Sequence, residues 1–247
     1  MKKLALTIVC ALAMNGAAFA QGYINWSLPH VDITAQTNAT VYSSLFFFGG
    51  EINGIGTGGA TGSATGTGLI YDYALLYMPN TATPGVGATT VWDGTWSGAV
   101  GLGGGSLTAT NSNTAGYLNP VQASGDTQVN WANGTTDNIV VVGWSANLGS
   151  TWFGVSNILA QLALGNAAPY VAQVGGGEAF FGESAIGYIN PALTTPGASI
   201  VGSSPTPNGL PIYSLNMQLY LVPVPEPATM VLAGLGGLSL LLFRRRK

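Results

Sequence analysis

The chain has 247 residues, of which 47% are hydrophobic and only 6% charged, with 37 Gly and 13 Pro. Soluble domains average roughly 25% charged residues, so this composition excludes a charge-rich disordered chain, a coiled coil and an ordinary cytosolic enzyme, yet leaves enough apolar side chains for a packed core. All six Lys and Arg lie at the two ends and all nine acids lie between them; so acidic a body repels phosphate backbones, which excludes nucleic acid as a partner.

The first segment, Met1 to Ala20, sets Lys2 and Lys3 before an apolar run from Leu4 to Met14 and closes on Ala18-Phe19-Ala20. A basic head, a short apolar stretch and an A-x-A ending form a secretory signal peptide, so signal peptidase is expected to cut between Ala20 and Gln21. Cys10 is preceded by Val9 and lies inside the apolar run, which argues against a lipoprotein. Cleavage removes it and leaves a mature chain with no thiol and no disulfide.

From Gln21 to Val222, clusters of Gly, Thr, Asn, Ser and Pro separate short runs rich in Val, Ile, Tyr, Trp and Phe, the pattern of an all-β domain. Strands are expected over 23–28, 40–48, 68–78, 89–96, 138–145 and 212–222. The 212–222 segment alternates, with Tyr213, Leu215, Met217, Leu219 and Leu221 on one face and Ser214, Asn216, Gln218 and Tyr220 on the other. Ile139 to Val142 is apolar without a break, which predicts an inner strand covered on both faces. Residues 150–164 place apolar side chains at helical spacing behind a Ser cap and before Gly165, predicting one helix. Residues 53–68, NGIGTGGATGSATGTG, read as a low-complexity loop. No fixed-period repeat supports a β-helix or a propeller. The expected fold is therefore an all-β, jelly-roll-like β-sandwich with one short helix.

The chemistry of the body is sparse. His30 is the only imidazole, and no serine sits in a G-x-S-x-G turn, so nucleophilic catalysis lacks a base. One His and no mature Cys cannot make a zinc site, and no metal ligands are assigned. Gly54, Gly56 and Gly59 spell G-x-G-x-x-G, but Gly and Thr follow where a helix should start, and without a body lysine there is no Walker loop. Glu178 and Glu183 are the pair a glycosidase would need, with no basic residue to assist them. No cofactor is expected; calcium is the one ion that carboxylates without basic competitors suit, although no D-x-D-x-D-G loop holds it. Trp92, Trp96, Trp131, Trp144 and Trp152 can stack on sugar rings if exposed, and most of them are expected as core or interface anchors. Trp92 and Trp96, in VWDGTWSG, are the pair nominated to stack on sugar rings if exposed.

The last segment holds Pro225-Glu226-Pro227, then 16 uncharged and mostly apolar residues from Ala228 to Phe243, then Arg244-Arg245-Arg246-Lys247. As a helix those 16 residues cover roughly 24 Å against a hydrocarbon core of ~30 Å, a deficit that arginine snorkelling and local thinning offset. The four cations hold that end on the cytoplasmic side and leave the body outside the inner membrane. The prolines keep the tripeptide extended and non-helical.

Tripeptide, apolar helix and basic end, in that order, resemble the PEP-CTERM sorting signal of Gram-negative bacteria. The resemblance covers about the last 25 residues. It implies that the chain is a substrate of exosortase, a multi-pass membrane cysteine transpeptidase acting near the tripeptide, with Pro225, Glu226 and Pro227 as recognition residues. It implies delivery to the cell envelope or to an extracellular exopolysaccharide matrix. The expected organisation is a signal peptide at 1–20, an extracytoplasmic body at 21–222 and a sorting signal at 223–247. The expected role is a non-enzymatic structural or interaction protein. A carbohydrate-binding module on the same route is the alternative, and a glycoside hydrolase the third.

Overall fold

The computed structural model describes residues 21–25, 34–42, 70–80, 90–101, 104–112, 116–120, 126–131, 133–175, 177–202, 206–212 and 216–223. In chain order the strands are β1 (Gly22–Asn25), β2 (Thr34–Tyr42), β3 (Tyr71–Pro79), β4 (Ser97–Gly98), β5 (Thr108–Asn111), β6 (Leu118–Pro120) and β7 (Asp126–Val129). There follow β8 (Asp137–Ser145), a 3-10 turn (Ala146–Leu148), α1 (Trp152–Ala163), α2 (Ala168–Val174), β9 (Phe180–Glu183) and β10 (Gly187–Ile189). The short β11 (Ala198–Ser199) and β12 (Gly209–Leu210) precede the last strand, β13 (Asn216–Leu221).

Among the described residues ten strands form one sheet, in the order β2-β13-β9-β8-β3-β5-β6, with β4 on β3, β10 on β8 and β12 on β10. A second sheet of three has the order β11-β1-β7. Most pairings are antiparallel, but β1 runs parallel to β11 and β2 parallel to β13. Both helices pack with the large sheet, so among the described residues the fold is mostly β with two short helices rather than one.

The centre is β8, in which every residue is buried. Its run of β-branched residues suits a strand, and alternation sends successive side chains to opposite faces. Ile139 and Val141 enter one core with Tyr73, Leu75, Met217 and Leu219 of the large sheet and Ile24 and Val129 of the small one. Val140, Val142 and Trp144 enter a second core with Val155, Leu159 and Leu162 of α1 and Tyr170 of α2. The unbroken apolar run thus reflects cover on both faces, as expected. Across β8, Gly143 makes room for its neighbours: a Cβ there would meet the Tyr73 ring at 2.7 Å and Met217 Cε at 2.8 Å.

Buried polar side chains complete the ladder where strands end. Ser145 Oγ accepts from Phe180 N (2.9 Å), Ser184 Oγ from Val141 N (3.0 Å) and Asn111 Oδ1 from Tyr71 N (2.9 Å). Each supplies a main-chain donor with the acceptor that burial denies it from water.

Helix α1 lies inside the expected 150–164, but its cap is Thr151, whose hydroxyl accepts from Gly154 N at 3.4 Å, not Ser150. It closes at Gly165, whose φ of +82° a side chain would disfavour. Helix α2 was not anticipated from the sequence: Pro169 reads as a breaker, yet in a first turn its missing N–H has no helical partner to lose.

The expected strand at 89–96 is corrected. Val91 to Trp96 form turns, because Asp93 Oδ1 accepts both Thr95 N (2.9 Å) and Thr95 Oγ1 (2.6 Å) and folds the chain onto its own side chain. Only β4 follows. Of the other expected strands, 23–28, 68–78, 138–145 and 212–222 correspond in their described parts to β1, β3, β8 and β13, whereas 40–48 meets β2, which begins at Thr34, only at 40–42, and 43–48 lies outside the described residues. The expected loop at 53–68 lies outside the described residues. So do the signal peptide and the apolar segment 228–243; among the described residues no helix is long and apolar enough to cross a membrane.

Candidate functional site

The sorting segment is attached where β13 ends. That strand is not an edge: it pairs with β2 on one side and, at Tyr220 and Leu221, with Phe181 and Phe180 of β9 on the other. Val222 continues the attachment by donating to Ala179 O at 2.9 Å, and Leu221, Val222 and Pro223 are all buried. The alternation expected of this segment is present in its described part, with Met217, Leu219 and Leu221 inside and Gln218 and Tyr220 half-buried. Glu226 is the third residue after Pro223, so the acid of the tripeptide lies at most ~11 Å along the chain from the folded body. Pro225, Glu226, Pro227 and Arg244 to Lys247 themselves lie outside the described residues.

The other expected processing site also abuts the fold. Ala18 and Ala20 lie outside the described residues, but Gln21 is half-buried and directly precedes β1. Gly22 N, the next donor, bonds Trp131 O at 3.2 Å.

At the end of the sheet where β13 finishes, neighbouring strands are tied into one rim. Phe180 N donates to Ser145 Oγ, Ala146 N donates to Ile70 O (2.8 Å), and Asn147 Nδ2 donates to Glu178 O (2.9 Å). Gln173 Nε2 of α2 reaches Asn147 O at 3.3 Å, joining the helical layer to the same rim.

The nominated sugar platform is corrected by burial. Trp92 and Trp96 are 7% and 4% exposed and belong to the core beneath the helices. Trp92 meets Phe181 edge-on at 5.6 Å, leaving no open indole face for a ring to stack on. Trp152 stacks on Phe181 at 6.1 Å and lies 5.8 Å from Trp144, whose Nε1 donates to Gly149 O at 2.7 Å. These side chains anchor α1 to the sheet, the role expected of most of the five tryptophans. Trp131, 6% exposed, stacks on Tyr77 at 4.6 Å.

None of the described residues is Lys or Arg, so no carboxylate among them has a cationic side chain to face. Burial raises the carboxyls of Asp72 and Asp137 above the usual range, for Asp137 against a hydrogen bond from the Asn80 backbone that lowers it. Burial pushes Glu183 up to about 7, and its Oε2 is buried with no hydrogen-bond partner. By alternation from Phe181 and Ala74, Glu183 and Asp72 both face the helical layer. Glu178 is exposed and precedes β9, whereas Glu183 closes that strand. Among the described residues no three His, Cys, Asp or Glu side chains gather as metal ligands, and His30 lies outside them.

A β-rich body joined without a spacer to a proline-flanked acid, an apolar stretch and a basic end is the architecture of an exported protein bearing a C-terminal sorting signal. Residues 223–247 match the family model of the PEP-CTERM protein-sorting motif. The chain thus carries a PEP-CTERM sorting motif in its last 25 residues, and that motif implies exosortase as the processing partner and an exported, membrane-anchored precursor as the starting form. No curated protein and no solved structure matches the chain.

Proposed function

We propose that this protein is a non-enzymatic component of the cell envelope or extracellular matrix. Its precursor is exported by the segment ending at Ala20, held in the inner membrane by 228–243 with Arg244 to Lys247 inside, and released from that anchor by exosortase near Pro225-Glu226-Pro227. The match of the sorting motif to 223–247 carries this reading. It is supported by a body with no Lys or Arg and a single His, which offers little for acid–base or nucleophilic chemistry. The bilayer around the tail and exopolysaccharide around the released body are the surroundings this route supplies.

Intact-mass measurement of the surface-located protein tests the reading. The expected mass lacks Met1 to Ala20 and everything beyond the cut, and a Glu226→Gln variant is expected to accumulate with its tail attached. Recovery of Arg244 to Lys247 on the surface-located form would overturn it.

A further inference from the structure

Where the tail leaves the body restricts how the body can sit. Pro223 is the last described residue, and the apolar segment begins at Ala228, five residues on. Five residues span at most ~18 Å even when fully extended. The polar zone of one leaflet occupies ~5–8 Å of that distance. While the tail is in the membrane, the rim at the end of β13 is therefore held within a few ångströms to ~13 Å of the lipid surface.

That rim carries exposed apolar side chains. Strands β13, β9, β8 and β3 are successive neighbours, so Ile70, just before β3 and bonded to Ala146, lies three strand spacings, ~14 Å, from the exit point. Ile70 is 63% exposed. Phe153, 79% exposed, follows Trp152, which is seated over Trp144 and Phe181 next to the same rim. Side chains in a helix lean toward its N-terminus, so in this first turn Phe153 leans beyond the helix rather than along it. Another exposed apolar side chain, Leu193 (63%), follows β10, whose Ile189 pairs with Asp137 at the opposite end of β8 from Ser145.

We infer that the rim bearing Ile70 and Phe153 is a membrane-contact surface, which rests its apolar side chains on the outer face of the bilayer while the precursor is tethered. The inference rests on the tail being the anchor proposed above. Two side chains alone bind lipid weakly, but a tether of five residues makes the contact intramolecular and raises its effective concentration. The rim offers no cation and bears exposed Glu178, so the surface it fits is zwitterionic rather than anionic.

The test uses the chain purified from membranes with its tail intact, in phosphatidylcholine vesicles, with Cys10→Ser removing any other thiol. Ile70→Cys, Phe153→Cys and Leu193→Cys variants carry a bimane label, and nitroxide lipids report proximity. The expected result is flotation with the vesicles and quenching at 70 and 153 about twofold or more above that at 193. Flotation with equal quenching at all three positions would overturn the contact surface and leave the anchor standing. Failure to float would remove the anchor and this inference with it. Disulfide-linked dimers through residue 153 with no lipid quenching would assign the rim to a second copy of the chain instead.

Discussion

The two faces of the large sheet are packed by different means. Against the small sheet, strand meets strand: Ile24, Leu75, Val129, Ile139, Val141 and Leu219 fill much of the space with aliphatic side chains, joined by Tyr71, Tyr73, Phe180 and a single tryptophan, Trp131. Against the helices, large rings do the filling: Trp92, Trp96, Trp144 and Phe181 lie under α1 and the 91–96 turns, and Asp72 and Glu183 face the same side. Two sheets can follow each other's twist over their whole length, whereas a helix touches a sheet along a ridge and leaves wedges that bulky rings fill. The helical side is therefore where most of the buried tryptophans collect, together with the Glu183 carboxyl whose Oε2 has no hydrogen-bond partner.

Replacing Trp144 should break that side most severely. Trp144→Ala removes an indole that is 1% exposed together with its bond to Gly149 O, and denaturant melts should show a loss of about 3–5 kcal/mol. Trp92→Ala should likewise cost stability, since Trp92 is packing rather than platform. A Trp92→Ala protein that melted as the parent does, yet lost polysaccharide binding, would reverse this assignment.

Gly143 tests the opposite face. Gly143→Ala drives a methyl against the Tyr73 ring and Met217 Cε, and the overpacking should cost about 1–3 kcal/mol in the same melts. An unchanged midpoint would mean that the face against the small sheet is slack.

Glu183 sharpens the comparison through pH. Its carboxyl binds a proton more readily when folded (about 7) than in its ordinary state (4.5), so below 4.5, where both forms hold the proton, the folded state carries no penalty, and that advantage is lost as pH rises. Between those values the unfolded chain has already lost the proton that the folded one keeps. Stability therefore falls as pH rises from about 4.5 through 7, and Asp72 acts in the same direction. Glu183→Gln should flatten this slope and raise stability at pH 8 by about 1–3 kcal/mol, after allowance for its partial exposure, with little change at pH 4. Parallel melting curves for parent and variant across that range would refute the burial of this group.

The smallest effect belongs to the cap of α1. The Thr151 hydroxyl meets Gly154 N at 3.4 Å, a long bond, so Thr151→Ala should cost about 0.5–1 kcal/mol, at the low end for such caps. A loss as large as that of Trp144→Ala would mean that helix seating, rather than ring packing, governs this face.

Strand character was legible where side chains carried it. Ile139 to Val142 announced a strand covered twice, and the alternation through Met217, Leu219 and Leu221 announced one covered face. The VWDGTW segment misled because its apolar content is that of a strand, while Asp93 captures Thr95 and turns the chain. Helix α2 hid behind Pro169, which local reading treats as a stop. The acidity of Glu183 had no local sign, since its neighbours in sequence do not report which layer it faces.

By itself the sequence determined the route: the apolar and basic ends, the tripeptide and the matched motif are written in consecutive residues, because export and sorting machinery reads short linear segments. Only the tertiary structure decided that β13 lies between two partners and holds the chain to Pro223, that the Trp92 and Trp96 indoles are core, and that the small sheet and the helices cover opposite faces of β8. Those outcomes depend on which strands become neighbours, and contacts between residues far apart in sequence leave no mark in either one's local pattern.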